Sequence, residues 1–355
     1  MKAWENNIRK VIPYVPGEQP KKEKMIKLNT NENPYPPAPG VLAAMKKLEG
    51  HVDSLRLYPD PTSDTLVSAL ADFYHVGKDQ VFVGVGSDDV LSMCFLTFFN
   101  SEKPVFFPDI TYSFYKVWAD LYRIPYECKK VDENFHIIKE DYYPENGGVI
   151  FPNPNAPTSI YEDLEFVEDI IRHNQDVIVI VDEAYIDFAG ESALSLLDKY
   201  DNLIITQTFS KARSMAGMRI GYAIASPLLI KYLNDAKYSF NSYTMNKTSL
   251  VYGAEAVKDK EYFAETTRKI VETRDWAEEE FKKLGFVFPK PSANFIFVSH
   301  PEYDAKELFE AMKAKGIYVR FWGSERIEQY LRVTIGTREE MEALFAFLRE
   351  YMMKC

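Results

Sequence analysis

Thr206-Gln207-Thr208-Phe209-Ser210-Lys211-Ala212-Arg213-Ser214-Met215-Ala216-Gly217-Met218-Arg219-Ile220-Gly221 runs from an apolar segment into a Ser-Lys pair, then to an arginine flanked by glycines. The preceding residues 203–206 and the following 220–224 are β-branched and apolar, so the stretch reads as strand, loop, strand. A lysine on a loop is ordinarily solvated. This one stands beside a hydroxyl, with an arginine eight positions later and glycines that let backbone approach a ligand closely.

Further short apolar runs at 81–85, 104–107, 148–151 and 177–181 repeat the pattern. Their nearly continuous apolar character marks strands covered on both faces, as in a mostly parallel α/β sheet. Helical patterns at 60–74 and 88–99 fit between them. Beyond a helical stretch around 255–284 the pattern changes: strands are expected at 286–288, 294–298, 317–321 and 331–335, with helices at 304–315 and 338–353. At 355 residues two domains are expected. They are a large one over 36–270 and a smaller α+β one from 271–355, completed by the Pro- and Asn-rich arm 1–35.

The strand at 177–181 delivers Asp182-Glu183-Ala184-Tyr185 at its C-terminal edge, where open α/β sheets bind ligands. A carboxylate there can serve a nucleotide hydrolase, but no GxxxxGK[ST] loop accompanies it: Gly77-Lys78 is followed by Asp79. It can also cap a helix. Pyridoxal phosphate (PLP) satisfies the whole set. Lys211 supplies the Schiff-base amine, Ser210 and Arg219 the phosphate contacts, and Asp182 the charge that keeps the pyridine nitrogen protonated. Tyr185 can then donate to the ring 3′-oxygen.

Gly84-Val85-Gly86-Ser87-Asp88-Asp89 leads from a strand into a helix and reads as a phosphate cradle. Asp88 is expected to contribute its N–H while its carboxylate caps the helix. The dinucleotide fingerprint fails, because Asp89 stands where its third glycine belongs. Pro152-Asn153-Pro154-Asn155-Ala156-Pro157-Thr158-Ser159 is a turn after a strand, and Tyr112 follows another strand within reach of a planar ring.

A net charge of −11 argues against nucleic acid or an anionic membrane as partner. The three cysteines, Cys94, Cys128 and Cys355, show no CxxC spacing, and the histidines form no HExxH. No metal site is expected. The polar N-terminus has no signal-peptide core and no apolar run is long enough to span a bilayer, so a cytoplasmic protein is expected.

Taken together, these elements resemble fold type I, class I/II aminotransferases over essentially the whole chain. Ile12-Pro13-Tyr14-Val15-Pro16-Gly17, Leu28-Asn29-Thr30-Asn31-Glu32-Asn33-Pro34 and Leu57-Tyr58-Pro59-Asp60 narrow the resemblance to the histidinol-phosphate aminotransferase branch, close to threonine-phosphate decarboxylases. The resemblance implies that Lys211 carries PLP, with Asp182 at the pyridine nitrogen and Tyr185 at O3′. It places Gly86, Ser87, Asp88, Ser210 and Arg219 around the phosphate and Tyr112 on the ring. Asn155 is the candidate second contact to O3′, since Ala156 occupies the usual asparagine position. Arg332 is expected to hold the substrate carboxylate, with Tyr14, Asn33, Tyr243, Asn294 and Arg320 near the substrate. Tyr58 is expected to reach the neighbouring subunit's cofactor in a homodimer with shared sites. The implied reaction is ping-pong transamination between L-glutamate and imidazole acetol phosphate, in histidine biosynthesis. A threonine-phosphate decarboxylase, an aromatic aminotransferase and a non-catalytic PLP-fold regulator are the alternatives.

Overall fold

A computed structural model describes residues 2–20 and 25–353; Cys355 lies outside them. Seven strands form one sheet in the order Val81–Gly84, Gly221–Ala225, Leu203–Thr208, Val179–Asp182, Gly148–Pro152, Val105–Pro108, Tyr126–Lys129. Only Gly221–Ala225 runs against the others. Alternate side chains enter two cores. Val149, Phe151, Val179 and Val181 pack on one face, and Ile150, Ile180 and Ile204 on the other. Helices therefore cover both faces, which explains the unbroken apolar runs.

A third core gathers Leu28, Phe295, Val298, Leu331, Val333, Leu344 and Phe345. Its antiparallel sheet orders Arg320–Phe321, Tyr330–Thr334, Phe295–Ser299. The helices Ala305–Ala314 and Arg338–Met352 belong to the same region, the latter opened by a Thr337–Glu340 capping box. The N-terminal arm joins it through Ile26–Lys27, paired parallel to Ile317–Tyr318.

Several expected elements shift for local reasons. The helix expected from 60 begins at Asp64, because the Asp60 carboxylate bonds the Thr62 and Asp64 N–H groups as a turn. The 255–284 stretch is two helices, Lys247–Lys258 and Lys260–Lys283, divided at Asp259, whose side chain caps the second. That second helix passes through position 270 without a break. Residues 286–288 make only a single bridge, Val287 to Ser299. The 317–321 strand divides between two sheets. Tyr126–Lys129 is an unforeseen edge strand; its half-exposed Tyr-Glu-Cys-Lys sequence lacks the apolar run of the inner strands.

Candidate active site

The carboxyl ends of five of the six parallel strands converge on one place. Val81–Gly84 leads to Gly86-Ser87, Val105–Pro108 to Tyr112, Gly148–Pro152 to Ala156, and Leu203–Thr208 to Ser210-Lys211. Val179–Asp182 ends at Asp182 itself. Ser87, Asp88, Tyr112, Asp182, Tyr185, Ser210, Lys211 and Arg219 line one cavity of about 390 Å³.

Asp182 is fully enclosed. Its carboxylate accepts from Tyr115 Oη at 2.8 Å and Thr206 Oγ1 at 3.3 Å. Burial outweighs these bonds and raises its pKa to about 6. Lys211 Nζ donates to the Thr30 carbonyl at 2.9 Å. Burial first, then the Arg332 guanidinium, lower its pKa to about 7, so a neutral amine is accessible near neutral pH. Tyr185 Oη accepts from Asn31 Nδ2 at 2.9 Å.

At the cradle, the helix Ser87–Phe98 presents its N-terminus after Gly86, whose φ of +87° favours glycine. A Cβ on Gly86 would stand 2.4 Å from Arg219 Nη2, and one on Gly221 only 2.2 Å from the Ser87 nitrogen. The expected capping role of Asp88 is not what the structure has. Its carboxylate accepts from Tyr112 Oη at 2.6 Å and pairs with Arg219 Nη2 at 3.3 Å. Asp89 instead accepts from the Val85 N–H. Amides, hydroxyls and a guanidinium at one end, a buried carboxylate and a lysine amine further along, fit a phosphorylated pyridine aldehyde.

A contiguous cavity of about 770 Å³ shares Lys211, Tyr185, Tyr112 and Arg219, and adds Tyr14, Arg320, Trp322, Arg326 and Arg332. Arg320 and Arg332 are direct partners across adjacent antiparallel strands, which puts both side chains on one face. Arg332 Nη2 donates to the Asn29 carbonyl at 2.9 Å while its Nε is buried without a partner. Arg320 makes long contacts, of 3.4–3.5 Å, to the carbonyls of Val15 and Pro16, and its guanidinium lies over the Trp322 ring at 5.2 Å. Tyr14 stacks on Phe114 at 4.2 Å. Arg326 joins the two regions, bonding Asp109 and the carbonyls of Val131 and Asp132.

Four predicted site residues lie elsewhere in this chain. The Asn155 carboxamide is consumed by Thr158 of its own loop and by the loop after Val105–Pro108: it donates to the Ile110 carbonyl and to Thr158 Oγ1 and accepts from Thr111 Oγ1, and Ala156 lines the cavity instead. Asn33 holds the Ala212 carbonyl and the Tyr35 N–H, bracing the lysine loop from behind. Asn294 is fully buried and donates to the Asn31 carbonyl. Tyr243 stacks on Tyr58 at 4.6 Å in an exposed pair. Asn31 and Tyr115 were not anticipated. Tyr115 had a signal, since it lies three residues beyond Tyr112; Asn31 had none that separated it from Asn33.

A family profile described as "Aminotransferase class I and II" matches residues 23–348. The chain belongs to this family of PLP-dependent transferases. Within it, a histidinol-phosphate aminotransferase of Clostridium botulinum (strain Okra / Type B1) is 48% identical over 353 residues, 99% of both chains. One from Lactococcus lactis subsp. cremoris is 48% identical, covering 99% of this chain and 98% of its own. The Sinorhizobium meliloti histidinol-phosphate aminotransferase, solved with pyridoxal-5′-phosphate, superposes with a TM-score of 0.81 at 23% identity over 92% of each chain. Among the described residues, no helix is long and apolar enough to cross a membrane, and no group of three or more His, Cys, Asp or Glu is placed to hold a metal ion.

Proposed function

We infer that this chain interconverts L-histidinol phosphate and imidazole acetol phosphate, with L-glutamate and 2-oxoglutarate as the other pair. The carrying observation is the register pairing of Arg320 with Arg332 in the cavity that also holds the Lys211 amine. Two adjacent guanidiniums repel one another until an anion lies between them, and a phosphate or a carboxylate meets that need.

When bound, PLP supplies an electron sink for the substrate Cα and a carrier for the amino group. Gly86, Ser87, Ser210 and Arg219 would hold its phosphate, and Asp182 its ring nitrogen. Tyr185, oriented by Asn31, would donate to O3′, and Tyr112 would cover the ring. Lys211 would anchor it covalently, and the same amine, neutral and enclosed, is the base placed to take the substrate's Cα proton. Arg332 orients the substrate carboxylate or phosphate; Arg320 and Tyr14 close the outer side.

The finer assignments are proposed on the same footing. The two cores flanking the large sheet and the third around the small one support a large domain over 36–270 and a small one from 1–35 with 271–355. Exposed Tyr58 and Tyr243, with Leu55 and Leu57 nearby in sequence, support a homodimer in which Tyr58 reaches the partner's cofactor. The cytoplasm is the proposed location. An acceptor screen with glutamate as donor tests the activity: 2-oxoglutarate should form with imidazole acetol phosphate. Release of CO2 from phosphothreonine without 2-oxoglutarate would replace the reading with a decarboxylase.

A further inference from the structure

The strap from Leu28 to Asn31 offers four successive carbonyls, and each accepts from a different group. The Leu28 carbonyl accepts from the Thr334 N–H at 3.0 Å, that of Asn29 from Arg332 at 2.9 Å, that of Thr30 from Lys211 at 2.9 Å, and that of Asn31 from Asn294 at 3.0 Å. Three of these donors belong to the small domain's core strands or the loop before them. Only the Thr30 carbonyl turns to the lysine of the large domain.

The Thr30 side chain is tied down separately. Its Oγ1 donates to Glu32 Oε2 at 2.6 Å, and Lys27 Nζ bonds both Thr30 Oγ1 and Glu32. Thr30 and Glu32 both line the inner cavity, yet neither has a part in holding the cofactor or substrate as described above. A half-exposed ion pair alone contributes little to stability. Here it fixes the residue whose carbonyl meets the reactive amine, and that is a positional effect.

We propose that Glu32 is a positioning residue: with Lys27 it locks Thr30 so that the Thr30 carbonyl docks the free Lys211 amine. An amine that donates one N–H to a fixed carbonyl has its lone pair held in a set direction, as a base requires. The role rests on Lys211 being the reactive amine. The charged and titratable groups around that amine are Glu32 and Asp88, which favour its protonated form, Arg332 and Arg219, which oppose it, and the Tyr185 ring at 5.7 Å.

The test uses the full-length cofactor-free protein, so it does not depend on which substrate is turned over. Trace acetic anhydride labels lysines, and mass spectrometry reads the Lys211 adduct from pH 5 to 10. The midpoint reports the amine's charge balance, and the limiting rate reports how firmly it is docked. Glu32→Gln should lower the midpoint by about half to one pH unit and raise the limiting rate. Lys27→Met, which leaves the carboxylate without its partner, should move the midpoint upward. Thr30→Val should raise the limiting rate severalfold, and Thr30→Ser, which keeps the hydroxyl, should restore the original profile. The melting temperature of each variant establishes that it is folded, and the Thr30 pair suffices should Glu32→Gln not fold. Profiles of Glu32→Gln and Thr30→Val that overlay the unsubstituted protein would overturn the proposal, as would Thr30→Ser behaving like Thr30→Val. Failure to label Lys211 at all below pH 9 would instead count against the amine itself as the reactive group.

Discussion

Tyr115 Oη donates to Asp182 Oδ2 at 2.8 Å from within the core, on a helix that begins two residues after Tyr112. The carboxylate is thereby aimed before a ligand binds, and its energetic cost is set by burial. With a folded-state pKa of about 6 against an ordinary 3.8, Asp182 favours the fold while protonated. That contribution is full below about pH 4 and is lost as pH rises through 6. Asp182→Asn should therefore stabilise the cofactor-free protein at pH 8, by up to about 3 kcal/mol, and leave it unchanged near pH 4. The same variant should bind PLP more weakly. Thermal melts at the two pH values and equilibrium dialysis with PLP check both halves.

Lys211→Ala should leave the fold intact and remove turnover. Loss of a general base alone accounts for roughly 10²–10⁴-fold, and loss of the covalent anchor adds to it. Glutamate-dependent formation of product, measured beside a melting curve, separates chemistry from folding. A variant that retained near-normal rates would relocate the reactive amine.

Arg332 and Arg320 should divide their labour. Arg332 is the enclosed member, with one nitrogen lacking a partner, so Arg332→Ala is expected to harm both half-reactions by about 2–5 kcal/mol, or roughly 30- to several-thousand-fold. Arg320→Ala should hurt the phosphorylated substrate more than glutamate, because a phosphate has more acceptor oxygens to satisfy. Single-turnover spectra of each half-reaction measure the split; equal losses for Arg320→Ala would remove it as a phosphate selector.

Tyr58 is 80% exposed and does not line this chain's cavity. Mixing Lys211→Ala with Tyr58→Ala, each inactive or nearly so, should restore part of the activity after subunit exchange. One site of the heterodimer then carries both defects and the other neither. With exchange verified by mass, an absence of recovery would confine the site to a single chain.

The large sheet was legible because buried parallel strands leave unbroken apolar runs, and the lysine loop because Ser210, Lys211 and Arg219 sit at diagnostic spacing. Tyr126–Lys129 left no such run, since an edge strand faces solvent on one side. The asparagines show the harder limit. Asn31 and Asn33 stand in one motif with identical side chains. Asn31 faces Tyr185 because its backbone takes φ +56° and Thr334 bonds both its N–H and its carboxamide oxygen. That choice is made by a residue 303 positions away, and no local pattern encodes it. Asn155 is diverted similarly: the neighbouring loop, 45 positions earlier, presents the Ile110 carbonyl, and the Asn155 amide satisfies it.

The contact between Gly221 and the Gly86–Ser87 backbone also constrains the order of assembly. The cradle's two walls are synthesised far apart, and only the reversed strand Gly221–Ala225, inserted between Leu203–Thr208 and Val81–Gly84, brings them together. A growing chain that has not yet released residue 225 owns the glycine-rich turn but not its arginine wall. The strap is completed later still, by Asn294, Arg332 and Thr334, which are synthesised after the whole sheet. Cofactor capture is therefore expected only after the sheet has closed and the strap has docked, and a product truncated before residue 225 should emerge colourless and without affinity for the vitamin.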